Sequence, residues 1–166
     1  MSCNKYRDHL IVLPEDDANR QIAIGFTLCS VLNDRTIQIL PPSGGLRKVL
    51  NAFKNDHIQK MYDHAGRRLL LLIDFDNDKS RLESVKSEIP SDLKNRVFIL
   101  GTQTEPEGLK KSVEHIHSFE DIGKELAKDC VDKAADSLWE HDLLKINNKE
   151  QARMVEFVKP FLFDLD

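Results

Sequence analysis

The chain has 166 residues, 40% of them hydrophobic and 31% charged, which suits one domain with a substantial core and excludes two large lobes. Lys and Arg number 24 against 28 Asp and Glu, a formal charge of −4. This excludes the global basic field behind non-specific nucleic-acid binding, so a polyanionic partner would need a local patch or a metal ion.

Three cysteines, Cys3, Cys29 and Cys130, lack CxxC spacing, which argues against a disulfide scaffold or a zinc cluster. Charges in the opening MSCNKYRDHL argue against a secretory signal. The longest apolar run, Leu69 to Ile73, has five residues, far below the roughly 20 of a membrane span. A cytoplasmic protein with no membrane partner is expected.

In chain order, residues 9–13 read as a strand stopped by Pro14. Residues 16–32 carry Ile22, Phe26 and Cys29 at helical spacing, with Ile24, Leu28 and Val31 widening the apolar face. Residues 36–40 form a second strand, stopped by Pro41 and Pro42. After Ser43-Gly44-Gly45, a helix sets Leu46, Val49, Leu50 and Phe53 on one face, and residues 57–65 continue as a short helix ended by Gly66. Residues 68–74 carry the apolar run Leu69–Ile73 without alternation, the mark of a central strand covered on both faces. A helix over 79–89, a strand over 97–100 and a helix over 106–113 follow. Strands alternating with helices predict an α/β fold: an open parallel sheet of four to five strands with helices on both faces, over residues 1–117. Residues 118–166 are expected as a helical C-terminal extension packed on the same domain, with helices over 119–139 and 149–163. Trp139, Phe157, Phe161 and Phe163 are expected as core contacts of those helices.

Ligands of open parallel sheets bind outside the carboxyl ends of the strands, where this sequence concentrates its polar residues. The first strand ends in Pro14-Glu15-Asp16-Asp17, the second in Ser43-Gly44-Gly45, the third in Asp74-Phe75-Asp76-Asn77-Asp78, and the fourth in Gly101-Thr102-Gln103-Thr104-Glu105. Carboxylates gathered at one edge repel unless a cation neutralises them, and hard oxygen ligands suit Mg²⁺ or Mn²⁺. Asp74 and Asp76, two residues apart, can converge on one ion at a fraying strand end, and Asp78 and Asp17 are further candidate ligands. The plainer reading is helix capping, strongest for Asp78 just before a helix. Glu15 is the candidate general acid or base; against that, Glu15, Asp16 and Asp17 at a helix start complement its dipole. Gly44 and Gly45 would let backbone N–H groups approach a phosphate, or simply form a tight turn.

An EF-hand is excluded, because Lys79 and Val85 stand where its loop needs Gly and Glu. His57, His64, His115, His117 and His141 show no HxxxH or HExxH arrangement and read as surface or packing residues. Arg47, Lys48, Lys54, Lys110 and Lys111 are the candidate local basic patch.

The order of Glu15 after the first strand, Gly44 or Gly45 after the second and Asp74-x-Asp76 after the third resembles the Toprim family. Toprim domains are the catalytic modules of topoisomerases, bacterial primases, small ribosomal-RNA maturases and overcome-lysogenization-defect nucleases. The resemblance spans roughly residues 8–115. It implies Glu15 as acid or base in phosphoryl transfer and Asp74 and Asp76 as Mg²⁺ ligands, hence Mg²⁺-dependent phosphodiester chemistry on nucleic acid. Tyr6 and Tyr62, the only tyrosines, occupy no nucleophile position, which argues against topoisomerase activity. One alternative is a Toprim-like subunit without activity that binds a protein partner or a second copy. Another is a receiver-like signalling domain with Asp74 as phosphoacceptor, although the Met-Pro usual after that residue is absent. A haloacid-dehalogenase-like phosphatase carries its Asp-x-Asp after the first strand rather than the third.

Overall fold

The computed structural model describes residues 2–132 and 136–165. Four parallel strands, β1 (His9–Pro14), β2 (Ile37–Ile39), β3 (Arg67–Asp74) and β4 (Val97–Thr102), form one sheet in the order β2-β1-β3-β4. The uninterrupted leucines of β3 sit between β1 and β4, with Leu69–Leu72 aligned on both neighbours. Successive side chains of a strand point to opposite faces, so both faces receive apolar side chains. Leu10, Val12, Leu70, Leu72, Phe98 and Leu100 enter one core; Ile11, Leu13, Leu69, Leu71, Ile73, Val97 and Ile99 enter the other.

The first core is covered by α1 (Asp17–Thr27), α5 (Pro106–Ser112), α6 (Phe119–Asp132) and the C-terminal segment. The second is covered by α2 (Leu46–Ala52), α3 (Ile58–Asp63) and α4 (Arg81–Ser87). Between α2 and α3 the chain winds as a π-helical turn over Phe53–His57. Helices α1 and α6 pack at backbone range: a Cβ on Gly25 would strike the Glu120 carbonyl, and one on Gly123 the Ile22 carbonyl.

Three expected helices differ in extent. The one expected over 16–32 ends at Thr27, because Leu32 instead bridges Phe163 and the Asn33 amide donates to the Leu162 carbonyl. The helix expected over 119–139 is described to Asp132; residues 133–135 lie outside the described residues, and Leu138–Glu140 form a 3₁₀ turn that buries Leu138 and Trp139. The last helix divides into α7 (Asn148–Phe157) and α8 (Lys159–Leu162), since Pro160 has no N–H for an unbroken ladder but suits a helix's first turn. Phe157, expected in the core, is exposed, whereas Phe163 is buried.

The C-terminal segment closes the β4 edge with side chains. Asn147 donates from Nδ2 to the Gly101 carbonyl (2.8 Å) and accepts the Gly101 amide on Oδ1 (3.0 Å), while Glu150 accepts the Ile99 amide (3.2 Å). Glu150 is itself held by Arg153 at 2.7 Å and Lys86 at 3.6 Å. Among the described residues, no helix is long and apolar enough to cross a membrane.

Candidate active site

In the order β2-β1-β3-β4, the chain leaves β1 toward one edge of the sheet and β3 toward the other. The crevice between their carboxyl ends is the topological switch point, where such sheets take ligands. Glu15 and Asp74 meet there. The Asp74 amide donates to Glu15 Oε2 at 2.8 Å, while the Glu15 amide donates to the Leu72 carbonyl at 2.8 Å. The β1–β3 ladder therefore fixes both residues beyond the last paired strand positions.

Asp74 is buried. Its Oδ1 accepts from Asn19 Nδ2 at 3.1 Å, and Asn19 is buried too. Burial pushes the Asp74 pKa up to about 7; the Asn19 hydrogen bond opposes the rise, and the charges of Asp16, Glu15 and Asp76 add to it. Burial likewise raises the pKa of Glu15, against the hydrogen bond from the Asp74 amide, with Asp16 and Asp76 pushing it further up and Arg81 drawing it down. The result is a knot of carboxyl groups with few cations, each making its neighbour harder to ionise.

The remaining acids sit around this pair in different ways. Asp16 caps α1, accepting the Asn19 amide at 2.9 Å. Asp17 accepts from Gln21 one turn along the same helix, at 2.6 Å. Asp76 and Asn77 both lie in the left-handed region, with φ of 49° and 56°, a conformation costing a non-glycine residue about 1 kcal/mol or more. The turn is braced by the Asn77 amide on the Gln103 carbonyl (2.6 Å) and by Gln103 Nε2 on Asn77 Oδ1 (3.0 Å). It brings Asp76 to Arg81 at 3.1 Å, while the same guanidinium donates to the Asp74 carbonyl at 2.9 Å. Asp78 folds onto Ser80, accepting its amide and hydroxyl, which holds its pKa below the usual range. Among the described residues, no three His, Cys, Asp or Glu side chains group to hold a metal ion by themselves.

The glycine loop is built differently from a phosphate cradle. Gly44 and Gly45 adopt φ of +90° and +136°, and both amides point inward to the Glu15 carbonyl, at 2.8 and 3.2 Å. Their donors hold the β1 loop rather than facing a ligand. The expected basic patch is also divided. Arg47 and Lys54 share Glu88 beside the second core, whereas Lys110 lies over the Phe119 ring on the opposite side of the sheet, where α5 packs.

Sequence reasoning assigned no site role to Asn19, which stands where the Toprim first motif often has an acid, or to Arg81. The step of four from Glu15 to Asn19 is one helical turn, the available sign that Asn19 returns to the strand end. Arg81, at the start of a polar helix, carried no sign beyond its charge. Comparison of the chain with protein-family models, with curated proteins and with solved structures finds no match.

Proposed function

We propose that the chain carries out divalent-metal-dependent phosphodiester chemistry on nucleic acid, in the manner of the Toprim domains its strand-end motifs resemble. The observation that carries this reading is the coupling of Glu15 and Asp74 across the switch point. Two carboxyl groups with raised proton affinity, each with one oxygen engaged by a protein donor, meet in an acidic crevice whose neighbouring cation, Arg81, is engaged by Asp76 and the Asp74 carbonyl. Mg²⁺ is commonly held by only one or two carboxylates and keeps several of its waters, so this donor set fits Mg²⁺ or Mn²⁺ without a three-carboxylate cage. Asp74 would hold the ion, with Asp76 as the second ligand in the family pattern.

The bound ion would stabilise charge on the transferred phosphoryl group and lower the pKa of water. Glu15 takes or gives the proton: anchored by Oε2 on the Asp74 amide, it leaves its other oxygen for a reacting group. Asn19 fixes the Asp74 carboxyl, and Arg81 ties the Asp74 carbonyl to the Asp76 side chain, which keeps the β3 loop in place.

Incubation with single-stranded and duplex DNA and RNA in Mg²⁺ or Mn²⁺ tests the reading. Cleavage should vanish with a chelator and fall about 10²-fold or more in Glu15→Gln and in Asp74→Asn. Cleavage that survives the double variant removes the assignment. A well-folded protein that cleaves nothing favours the partner-binding alternative.

A further inference from the structure

The first core holds a cavity of about 120 Å³ where the sheet meets the C-terminal segment. Val12, Leu72 and Leu100 line it from the sheet, and Phe26, Leu126 and Val158 from α1, α6 and the α7–α8 junction. Protein interiors are close-packed, with few voids larger than a water molecule, so a space of this size is a candidate ligand site. Gln151, half-buried, and Val155, 46% exposed, mark where its lining reaches solvent.

The polar side chains in the buried part of the lining are turned to partners in the protein. Asn19 donates to Asp74 at 3.1 Å, and Asn147 exchanges two hydrogen bonds with Gly101. The Thr102 hydroxyl donates to the Thr104 carbonyl, and the Trp139 indole to the Leu126 carbonyl at 3.0 Å. Lys159, the one charged residue in the lining among the described residues, donates to the Cys130 carbonyl at 2.7 Å. The Cys130 thiol stays neutral, because burial pushes its pKa up to about 11, and a neutral buried thiol behaves as a small apolar group. A buried water needs about two to four polar partners, which these walls do not offer. By contrast, a cavity of about 150 Å³ lined by Leu, Ile and Phe stays dry and binds benzene.

We propose that this cavity binds one small uncharged apolar molecule, about the size of a single aromatic ring. The volume sets the size and the walls set the chemistry. Burial of apolar surface and dispersion contacts supply the affinity, whereas a charged group would lose its hydration against Leu and Val side chains. Asn19 brings the cavity within one side chain of Asp74, but the proposal concerns binding alone and does not depend on the function proposed for Glu15 and Asp74.

Trp139, the chain's only tryptophan, lines the cavity and reports on it. The test is a titration of the full chain with iodobenzene, whose heavy atom quenches indole fluorescence on contact, followed by competition with benzene. Quenching should saturate at one molecule per chain, benzene should reverse it, and benzene alone should raise the melting temperature saturably. Benzoate should do neither. Ala23→Leu enlarges a side chain of the lining and should weaken iodobenzene binding about tenfold or more, the scale on which crowding a packed site costs. Val158→Leu does the same from the α7–α8 junction and supplies the comparison if Ala23→Leu does not fold. Quenching that rises without saturating, that benzene does not reverse, or that persists undiminished in every folded filling variant overturns the proposal. Benzoate binding as tightly as benzene overturns its restriction to an uncharged ligand.

Discussion

Asp74 closes a strand of leucines, where an ionised carboxylate has the least help from solvent. Its pKa of about 7 in the folded chain, against an ordinary 3.8, makes the folded state hold a proton that the unfolded chain has released. Stability from this group is therefore full below about pH 4 and is lost as the pH rises to about 7. Each pKa unit corresponds to about 1.4 kcal/mol. Asp74→Asn keeps the oxygen that accepts from Asn19 and removes the titration. Its stability relative to wild type should grow by about 2–3 kcal/mol between pH 5 and pH 8, as read by urea denaturation at both values. A difference that does not change with pH would show that Asp74 ionises normally. The same substitution should abolish cleavage, so stability and activity move in opposite directions at one residue.

The β4 edge shows how an element can be completed by side chains. Asn147 and Glu150 supply to Gly101 and Ile99 the partners a fifth strand would have offered. Asn147→Leu leaves a buried amide and a buried carbonyl unpaired, and should cost about 2–4 kcal/mol in a denaturant melt. A change below about 0.5 kcal/mol would mean that water replaces Asn147 freely. Central position was legible for β3, because five consecutive apolar residues, Leu69–Ile73, have nowhere to go but between two covered faces. The Asn147 contact was not legible: it spans 46 residues, and an Asn among Lys, Asn and Glu reads as a solvated face. The early end of α1 was hidden for a related reason. Local spacing favoured continued helix, and a distant partner, Phe163 in the case of Leu32, decided otherwise. Glu15 and Asp74 were legible as strand-end acids; the hydrogen bond from the Asp74 amide to Glu15, and the departure of Asp17 to Gln21 and of Asp78 to Ser80, depended on backbone geometry that composition does not encode.

At the level of the molecule, the sheet has one layer that a division at residue 117 would strip. The first core joins Leu10, Leu72, Phe98 and Leu109 to Ile122, Leu126, Trp139, Val158 and Leu162, so residues 118–166 supply a large part of one core. A chain ending at residue 117 would expose the part of one sheet face that α1 and α5 leave uncovered, together with the β4 edge, a template for association. It should be insoluble, or soluble only as an aggregate by size-exclusion chromatography. A monomeric truncation with cooperative unfolding would show instead that the α/β part stands alone.

The pairing of β1 with β3 also has a consequence in time. His9 and Arg67 lie 58 residues apart, and Asp74 lies 59 beyond Glu15. At a synthesis rate of about 5–20 residues per second, a nascent β1 would wait roughly 3–12 s for the strand that covers its inner side. During that interval the only strand available to pair with it is β2, three residues long. The crevice at one end of the two strands and the hydrogen bond from Arg67 to His9 at the other would then come into being in the same event, when a single zipper closes.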